Sequence, residues 1–267
     1  MKNRTLLTLL YGAAILLLIC SSLLPSTIRP YFSPFALLLP LLFGLFLFRK
    51  RGGGRIIAFE EKKRERTVLA YLLFPIILLG IIAVSALSSL LFSLVGIEST
   101  TVLPDSLPTA LIFYAAVPAL LEEALYRYLP MLALRDESRL GALVFSSVAF
   151  AFAHLSLLSL PYALFAGIGL FLVNLIAKSP LPSFLLHLCN NVLGVLLLFY
   201  PESTGLLIGT VLMLVLLSTL CALWIVKKRS VLREFVGELR EDESTPLFSA
   251  DLITFVAVTL FLSLTQL

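Results

Sequence analysis

Long runs of apolar residues are the feature that most limits what this chain can fold into. A run of roughly 18 or more apolar residues can cross the hydrocarbon core of a bilayer as a helix. The sequence contains eight such runs and a weaker ninth, joined by short connections. It therefore predicts an all-α, polytopic transmembrane helical bundle of eight or nine spans, in one integral-membrane domain over residues 1–267. The predicted spans are 6–24, 31–48, 67–97, 109–134, 140–159, 161–177, 183–200, 204–226 and 250–267.

The charged residues are few and unevenly placed. They make up 13% of the chain, against about 25% in soluble domains. Of the 20 lysines and arginines, 18 fall in loops on one side of an alternating topology. Because cytoplasmic loops are enriched in basic residues, we predict a cytoplasmic N-terminus. The same pattern accounts for the net charge of +4 without a nucleic-acid partner. We expect a multi-pass protein of a membrane, the cell membrane if the organism is prokaryotic.

Two features near the C-terminus bear on topology. If segment 250–267 crosses the bilayer, the C-terminus lies outside. The polar region 227–249 predicts an amphipathic helix on the cytoplasmic surface, where an interfacial anchor is favoured over a lid or docking role. Its apolar residues at helical spacing are Val231, Leu232, Phe235, Val236 and Leu239.

A small set of polar residues lies inside the predicted spans. Ionisable groups in a span are costly and are usually kept for a function. The ionisable residues of the fourth span fall on two faces of the helix, because residues four apart share a face. Glu123 and Arg127 can therefore pair. Glu122 points about 100° away, without a counter-ion in its own helix. Such a carboxylate can act as general base on a water molecule.

Spans five and seven add two histidines and two asparagines. His187 and Asn191 are four apart on span seven, and two donors on one face suit the oxyanion that forms when a carbonyl is attacked. Asn190 fits interhelical hydrogen bonding. His154 stands alone on span five, with Phe150 one turn earlier as a packing partner. From these residues alone, a catalytic and a structural role for His154 stay equally open.

Proline interrupts the fourth span one turn before Glu122. Pro118 lacks an N–H group, so it removes a backbone hydrogen bond and kinks the helix. Such a break at membrane depth needs a neighbour or water to satisfy the freed carbonyl. A packing kink and a wet cavity beside Glu122 both fit the sequence.

Taken together, these residues resemble the CPBP family, which contains the CAAX prenyl endoproteases and bacterial relatives linked to bacteriocin processing and immunity. Its members carry three motifs on separate membrane helices: two glutamates followed after three residues by arginine, phenylalanine with histidine four later, and histidine with asparagine four later. In this sequence they are matched by Glu122-Glu123-Ala124-Leu125-Tyr126-Arg127, Phe150-Ala151-Phe152-Ala153-His154 and His187-Leu188-Cys189-Asn190-Asn191.

The resemblance implies a glutamate-type intramembrane protease whose motif-bearing core covers about 109–200. It implies that Glu122 with His154 activates the hydrolytic water, that His187 with Asn191 stabilises the oxyanion, and that the Glu123–Arg127 pair holds the site together. Phe150 and Asn190 are expected to support these residues.

Metal dependence is a separate question, because members of this family were long called metalloproteases. Two histidines and a glutamate could bind zinc. The sequence has no H-E-x-x-H motif, and a glutamate with a histidine can activate water unaided. We therefore expect no cofactor, with zinc as the alternative.

The resulting hypothesis is an endopeptidase that cleaves a peptide bond near the cytoplasmic face, in a cavity between spans four, five and seven. Its partners are the lipid bilayer and a peptide or protein substrate, for which prenylated CAAX tails are the class the resemblance names first. Many prokaryotic members belong to organisms without known prenylated CAAX proteins, so a substrate that is membrane-anchored in another way is retained.

Two rival functions are kept. One is a non-catalytic CPBP-like scaffold or immunity protein, and the other is a proton-coupled transporter, which would predict inverted repeats that we do not find.

The depth of the motif residues in the membrane is one difficulty for the protease hypothesis. At 1.5 Å per residue, Glu122 and His154 lie roughly 20 Å from the cytoplasmic ends of their spans, but His187 only about 8 Å. Straight helices would not bring them together.

Overall fold

The computed structural model describes residues 2–25, 28–51, 64–97, 106–134, 139–240 and 250–264. Within these residues all regular structure is helical, which confirms the predicted helical membrane bundle. The ten helices of the described segments are α1 Asn3–Ser22, α2 Arg29–Arg51, α3 Arg64–Ser93, α4 Leu107–Ala133, α5 Arg139–Ala153, α6 Leu160–Ala177, α7 Pro180–Phe199, α8 Thr204–Lys227, α9 Arg229–Arg240 and α10 Ala250–Leu264.

Seven of the described helices, α1 to α4 and α6 to α8, are long and apolar enough to cross a membrane. Their outward faces carry large apolar side chains. On α8, for example, Leu216 is 61% exposed and Leu223 is 64% exposed. A surface of this kind is costly in water but not in lipid, whose tails are as apolar as leucine. The chain is therefore an integral membrane protein.

The structure differs from the prediction at the fifth span. Helix α5 ends at Ala153, so its 15 residues reach about 22 Å, less than the hydrocarbon core. Leu155 ends the helix with φ of +50°, a left-handed conformation that glycine usually supplies. The sequence has leucine there and gives no stop signal. His154 is thus the first residue beyond α5 and is exposed, rather than buried inside a span.

The last predicted span, 250–267, is represented by α10, which has 15 residues and ends at Leu264. Residues 265–267 lie outside the described part of the chain. Helix α10 packs against α1 and α5, and its Leu252 and Phe255 are buried. Phe255 lies against the ring of Tyr11 on α1, with 6.2 Å between the ring centroids.

Helix α4 contains two irregular stretches, each just before a proline. Leu111–Ala116 precedes Pro118, and Ala124–Tyr128 precedes Pro130; both stretches are π-helical. Proline cannot donate a backbone hydrogen bond, so carbonyls in the preceding turn lose their helical donor. A π-helical turn in an α-helix often marks a functional site.

Neighbouring helices supply donors to the carbonyls of these stretches. The hydroxyl of Tyr11 on α1 donates to the Leu125 carbonyl at 3.3 Å. Ser146 on α5 donates to the carbonyl of Tyr126. In the first stretch, the Asn191 amide donates to the Ala115 carbonyl at 3.5 Å. Of these contacts, the one made by Asn191 lies in the stretch before Pro118, where a packed neighbour satisfies a carbonyl of the break.

Helices α5 and α6 pack closely because α6 presents a glycine to α5. A Cβ atom added at Gly167 would lie only 3.1 Å from the Ser147 Cα and carbonyl oxygen, and 3.3 Å from Cδ1 of Phe150. Small residues allow backbones in a membrane to approach in this way. The absence of a side chain at Gly167 therefore allows α6 to lie close to the Phe150 ring.

Helix α9 is amphipathic, as predicted, but its apolar face packs on protein rather than lying only at the lipid interface. Val231 and Phe235 are buried in the main core. On its polar face, Glu238 accepts two hydrogen bonds from Arg66 of α3, at 2.5 and 3.0 Å, and lies 3.2 Å from Arg139 of α5. Helix α9 is thus docked on the bundle, and its position at the lipid interface stays a prediction.

This docking predicts that Glu238→Gln lowers stability. Arg66 is only 3% exposed, and its second carboxylate partner, Glu234, is more distant at 3.4 Å. Removing the Glu238 charge therefore leaves this buried cation only partly compensated. Because Glu238 itself is partly exposed, we expect a loss of about 2 kcal/mol in unfolding free energy. Glu202→Gln, at an exposed glutamate in the α7–α8 turn, is the matched control.

The same pair makes stability depend on pH. The hydrogen bond and charge of Arg66 hold the pKa of Glu238 below its usual range, with further help from Lys178 and Arg139. A carboxylate with a lowered folded-state pKa stabilises the fold above its unfolded-state pKa, and this stability is lost as pH falls through the folded-state pKa. Unfolding in detergent should therefore show that Glu238→Gln loses less unfolding free energy than the unaltered protein as the pH is lowered. An equal loss in both proteins would contradict this role.

Candidate active site

The imidazole of His187 lies between two carboxylates of α4. Its Nδ1 is 2.9 Å from Oε1 of Glu123, a hydrogen bond in which the ring N–H donates to the carboxylate. Its Nε2 is 3.7 Å from Oε2 of Glu122. Helix α7 packs along this part of α4, so the two nitrogens of one ring meet successive residues of the other helix. The second nitrogen, Nε2, is the one that faces Glu122.

Glu123 also forms the ion pair predicted with Arg127. The Arg127 Nε lies 3.4 Å from the same Oε1 that receives the histidine, and the two side chains are 0% and 4% exposed. The guanidinium carbon of Arg127 is 4.0 Å from the centre of the Phe150 ring. Arginine over an aromatic face is an attractive arrangement that strengthens when water is excluded. The carboxylate and the ring together hold this buried cation.

Phe150 connects the three motifs. The centroid of its ring is 4.9 Å from that of His154 and 5.7 Å from that of His187, and both imidazole planes are nearly perpendicular to the Phe150 ring. Its backbone carbonyl accepts a hydrogen bond from Nδ1 of His154 at 2.9 Å. That bond places the proton on Nδ1 and leaves Nε2 of the neutral ring with a free lone pair.

The asparagines of α7 interact with each other. Asn190 donates to Oδ1 of Asn191 at 3.3 Å, while Asn191 donates to the Ala115 carbonyl. An amide group has two N–H donors, so Asn191 keeps a second one beside this contact. Asn190 thus orients Asn191 within the same helix, instead of joining α7 to another helix as expected.

The predicted residues converge, with one change of partner. Glu122, without a counter-ion in its own helix, finds His187 of α7 as its neighbour. Glu122 and His154 share no hydrogen bond or ion pair in the described part of the chain. The depth difficulty does not hold for Glu122 and His187, whose side chains lie 3.7 Å apart. Helix α7 begins at Pro180, three residues earlier than predicted, which adds about 4.5 Å to the depth of His187.

Burial changes across the site. Glu123, Arg127 and His187 are buried, whereas Glu122 is 20% exposed and His154 is exposed. Asn191 is half-buried. The Glu123–Arg127 ion pair is therefore shielded from solvent. Glu122 and His154, the residues expected to meet a water or a substrate, lie on the accessible side.

Sequence reasoning missed residues that support this arrangement. Tyr11 and Ser146 bind the α4 carbonyls, and no local pattern links them to the motifs. Ser183 is fully buried and interacts with the Glu123 carboxylate. It lies four residues before His187 on the same helical face, so helical spacing was a signal that could have found it.

Metal binding would require several donor side chains close together. In the described segments, no group of three or more histidine, cysteine, aspartate or glutamate side chains has an arrangement that could hold a metal ion. Metal independence stays a prediction, to be tested with the purified protein.

A protein-family model matches residues 104–193, and its description is type II CAAX prenyl endopeptidase, Rce1-like. The matched region covers less than half of the chain and includes all three motifs. The resemblance to the CPBP family is confirmed by this match. Neither the curated proteins nor the solved structures gave a match.

The buried ion pair predicts a large effect of Arg127→Met. The substitution leaves the Glu123 carboxylate without its cation, and breaking a buried pair in this way costs about 3–5 kcal/mol of unfolding free energy. Equilibrium unfolding in detergent micelles measures the loss. The double variant Glu123→Gln, Arg127→Met should lose less than the sum of the single variants, because the two side chains interact. Additive losses would show that they do not.

Proposed function

We propose that the protein is an intramembrane endopeptidase that hydrolyses a peptide bond near the cytoplasmic face of the membrane. One observation carries the proposal: the side chains of the three motifs, from α4, α7 and the end of α5, converge around Phe150 and His187. The family match supports the same reaction class.

Water activation is assigned to Glu122 and His154. Glu122 is partly exposed, and Oε2 of its carboxylate faces Nε2 of His187, the ring nitrogen that is not bonded to Glu123. His154 is held through Nδ1, so its Nε2 can accept a hydrogen bond from a water molecule. The carboxylate takes a proton from the water as the oxygen attacks the peptide carbonyl, and it passes this proton to the leaving amine.

Stabilisation of the oxyanion is assigned to His187 and Asn191. Donation by the histidine requires a proton on Nε2 in addition to the one on Nδ1. The carboxylates on either side, Glu122 and Glu123, balance the charge of such an imidazolium. Asn191 contributes the N–H that is not used on Ala115. Donors fixed before the reaction are effective because they need no reorganisation as charge develops.

Glu123 and Arg127 are assigned a positioning role. Glu123 sets the orientation of the His187 ring, and Arg127 compensates its charge. Partners of this kind, one step removed from the chemistry, fix the tautomer and the orientation of a catalytic histidine.

The proposed substrate is a peptide segment that reaches the site from the membrane. Because the apolar outer surface of the bundle places the protein in a bilayer, we expect substrates that are themselves lipid-anchored or apolar. Prenylated tails are the substrate class that the family description suggests. Matched peptides with and without a prenyl group would measure this preference.

The decisive variant is Glu122→Gln, assayed with purified protein in detergent on a panel of fluorogenic peptides. The amide cannot accept the proton, so we expect kcat to fall about 10²–10⁴-fold. Glu202→Gln is the matched control and should cleave like the unaltered protein. Unaltered turnover in Glu122→Gln would contradict the assignment of Glu122 as the general base. Absence of cleavage by the unaltered protein across the panel would favour a non-catalytic relative.

A second prediction concerns metal. Because Glu122 and His154 can activate water together, cleavage should be unaffected by dialysis against a chelator. The measurement is kcat before and after the treatment. Loss of activity that zinc alone restores would overturn the metal-free mechanism.

A further inference from the structure

Helix α9 has a second side that takes no part in its docking on the bundle. Helix α8 is long enough to cross the membrane and ends at Lys227, and α9 begins two residues later, at Arg229. A helix that crosses a bilayer ends at the bilayer surface, so α9 starts at the level of the lipid headgroups.

The charged residues of α9 are divided between its two sides. Its acidic side chains face the protein, where the guanidinium of Arg66 lies 3.4 Å from Glu234 and 2.5 Å from Glu238. Arg229 and Arg233 are exposed, and neither forms a hydrogen bond or an ion pair within the described segments. The charge that α9 presents away from the bundle is therefore positive.

Apolar side chains lie between these two arginines. Leu232 is 36% exposed and Val236 is 37% exposed. Arg229, Leu232, Arg233 and Val236 are separated by three, four and seven residues, so they share one side of the helix, which we call the outer face of α9. Basic and apolar residues mixed on one helix face are typical of helices that bind an anionic lipid surface.

We infer that the outer face of α9 binds the anionic headgroups of the leaflet at which α8 ends. Arg229 and Arg233 donate to headgroup phosphates, and Leu232 and Val236 enter the boundary between headgroups and acyl chains. Lys227 is exposed beside them and adds a third positive charge. The inference is independent of the proposed peptidase activity, because none of these residues belongs to the candidate active site.

The test uses Trp224, the single tryptophan of the chain, which lies in the last turn of α8. The protein is reconstituted in phosphatidylcholine with increasing fractions of phosphatidylglycerol that is brominated high on its acyl chains, and quenching of Trp224 fluorescence is measured. We expect brominated phosphatidylglycerol to quench at a lower mole fraction than brominated phosphatidylcholine. Because each basic residue strengthens the attraction about fivefold, Arg233→Gln should raise the mole fraction for half-maximal quenching by that factor.

The double variant Arg229→Gln, Arg233→Gln should raise that mole fraction further. Arg29→Gln is the matched control, at an exposed arginine that the predicted topology places at the opposite membrane surface, and it should leave quenching unchanged. The lipid preference of the unaltered protein should also weaken in about 0.5 M salt, which screens charges at the surface.

Three results would overturn the inference. The first is equal quenching of the unaltered protein by the two brominated lipids. The second is an unchanged phosphatidylglycerol preference in the double variant. The third is a disulfide between copies of Leu232→Cys in the same membranes, which would assign the outer face of α9 to a second copy of the chain.

Discussion

One carboxylate oxygen, Oε1 of Glu123, links the two helices on which the site depends. It accepts the Nδ1 hydrogen bond of His187 and faces the guanidinium of Arg127. Inside a bilayer there is little water to solvate such groups, so each charge is stable only with a partner. The pairing therefore sets how α4 and α7 lie against each other. It also fixes which nitrogen of His187 is left for the accessible side, where Glu122 lies.

A second constraint comes from an apolar ring. Phe150 receives Arg127 on its face and forms T-shaped pairs with the two histidine rings. The negative face of an aromatic ring attracts a cation, and the same charge distribution favours T-shaped ring pairs. Because Gly167 of α6 has no side chain, the ring can sit close to that helix. Phe150 thus positions polar groups from three helices without making a hydrogen bond through its side chain.

The irregular backbone of α4 belongs to the same arrangement. Its two proline breaks flank Glu122 and Glu123, and their carbonyls are bound by side chains of α1, α5 and α7. A break in a membrane helix is tolerated where neighbours replace the missing donors. Those donors are scattered along the sequence, from Tyr11 to Asn191, and only packing brings them to α4.

The sequence by itself determined the helical membrane bundle, the family resemblance and the Glu123–Arg127 pair. Span length and apolarity decide the first, and spacing along one helix decides the last. Only the tertiary structure decided that His187 contacts both glutamates, that α5 ends before His154, and that α9 docks through Glu238. The reason is physical: helical periodicity orders residues within one helix, whereas contacts between helices depend on tilt, register and turns, which no local pattern encodes.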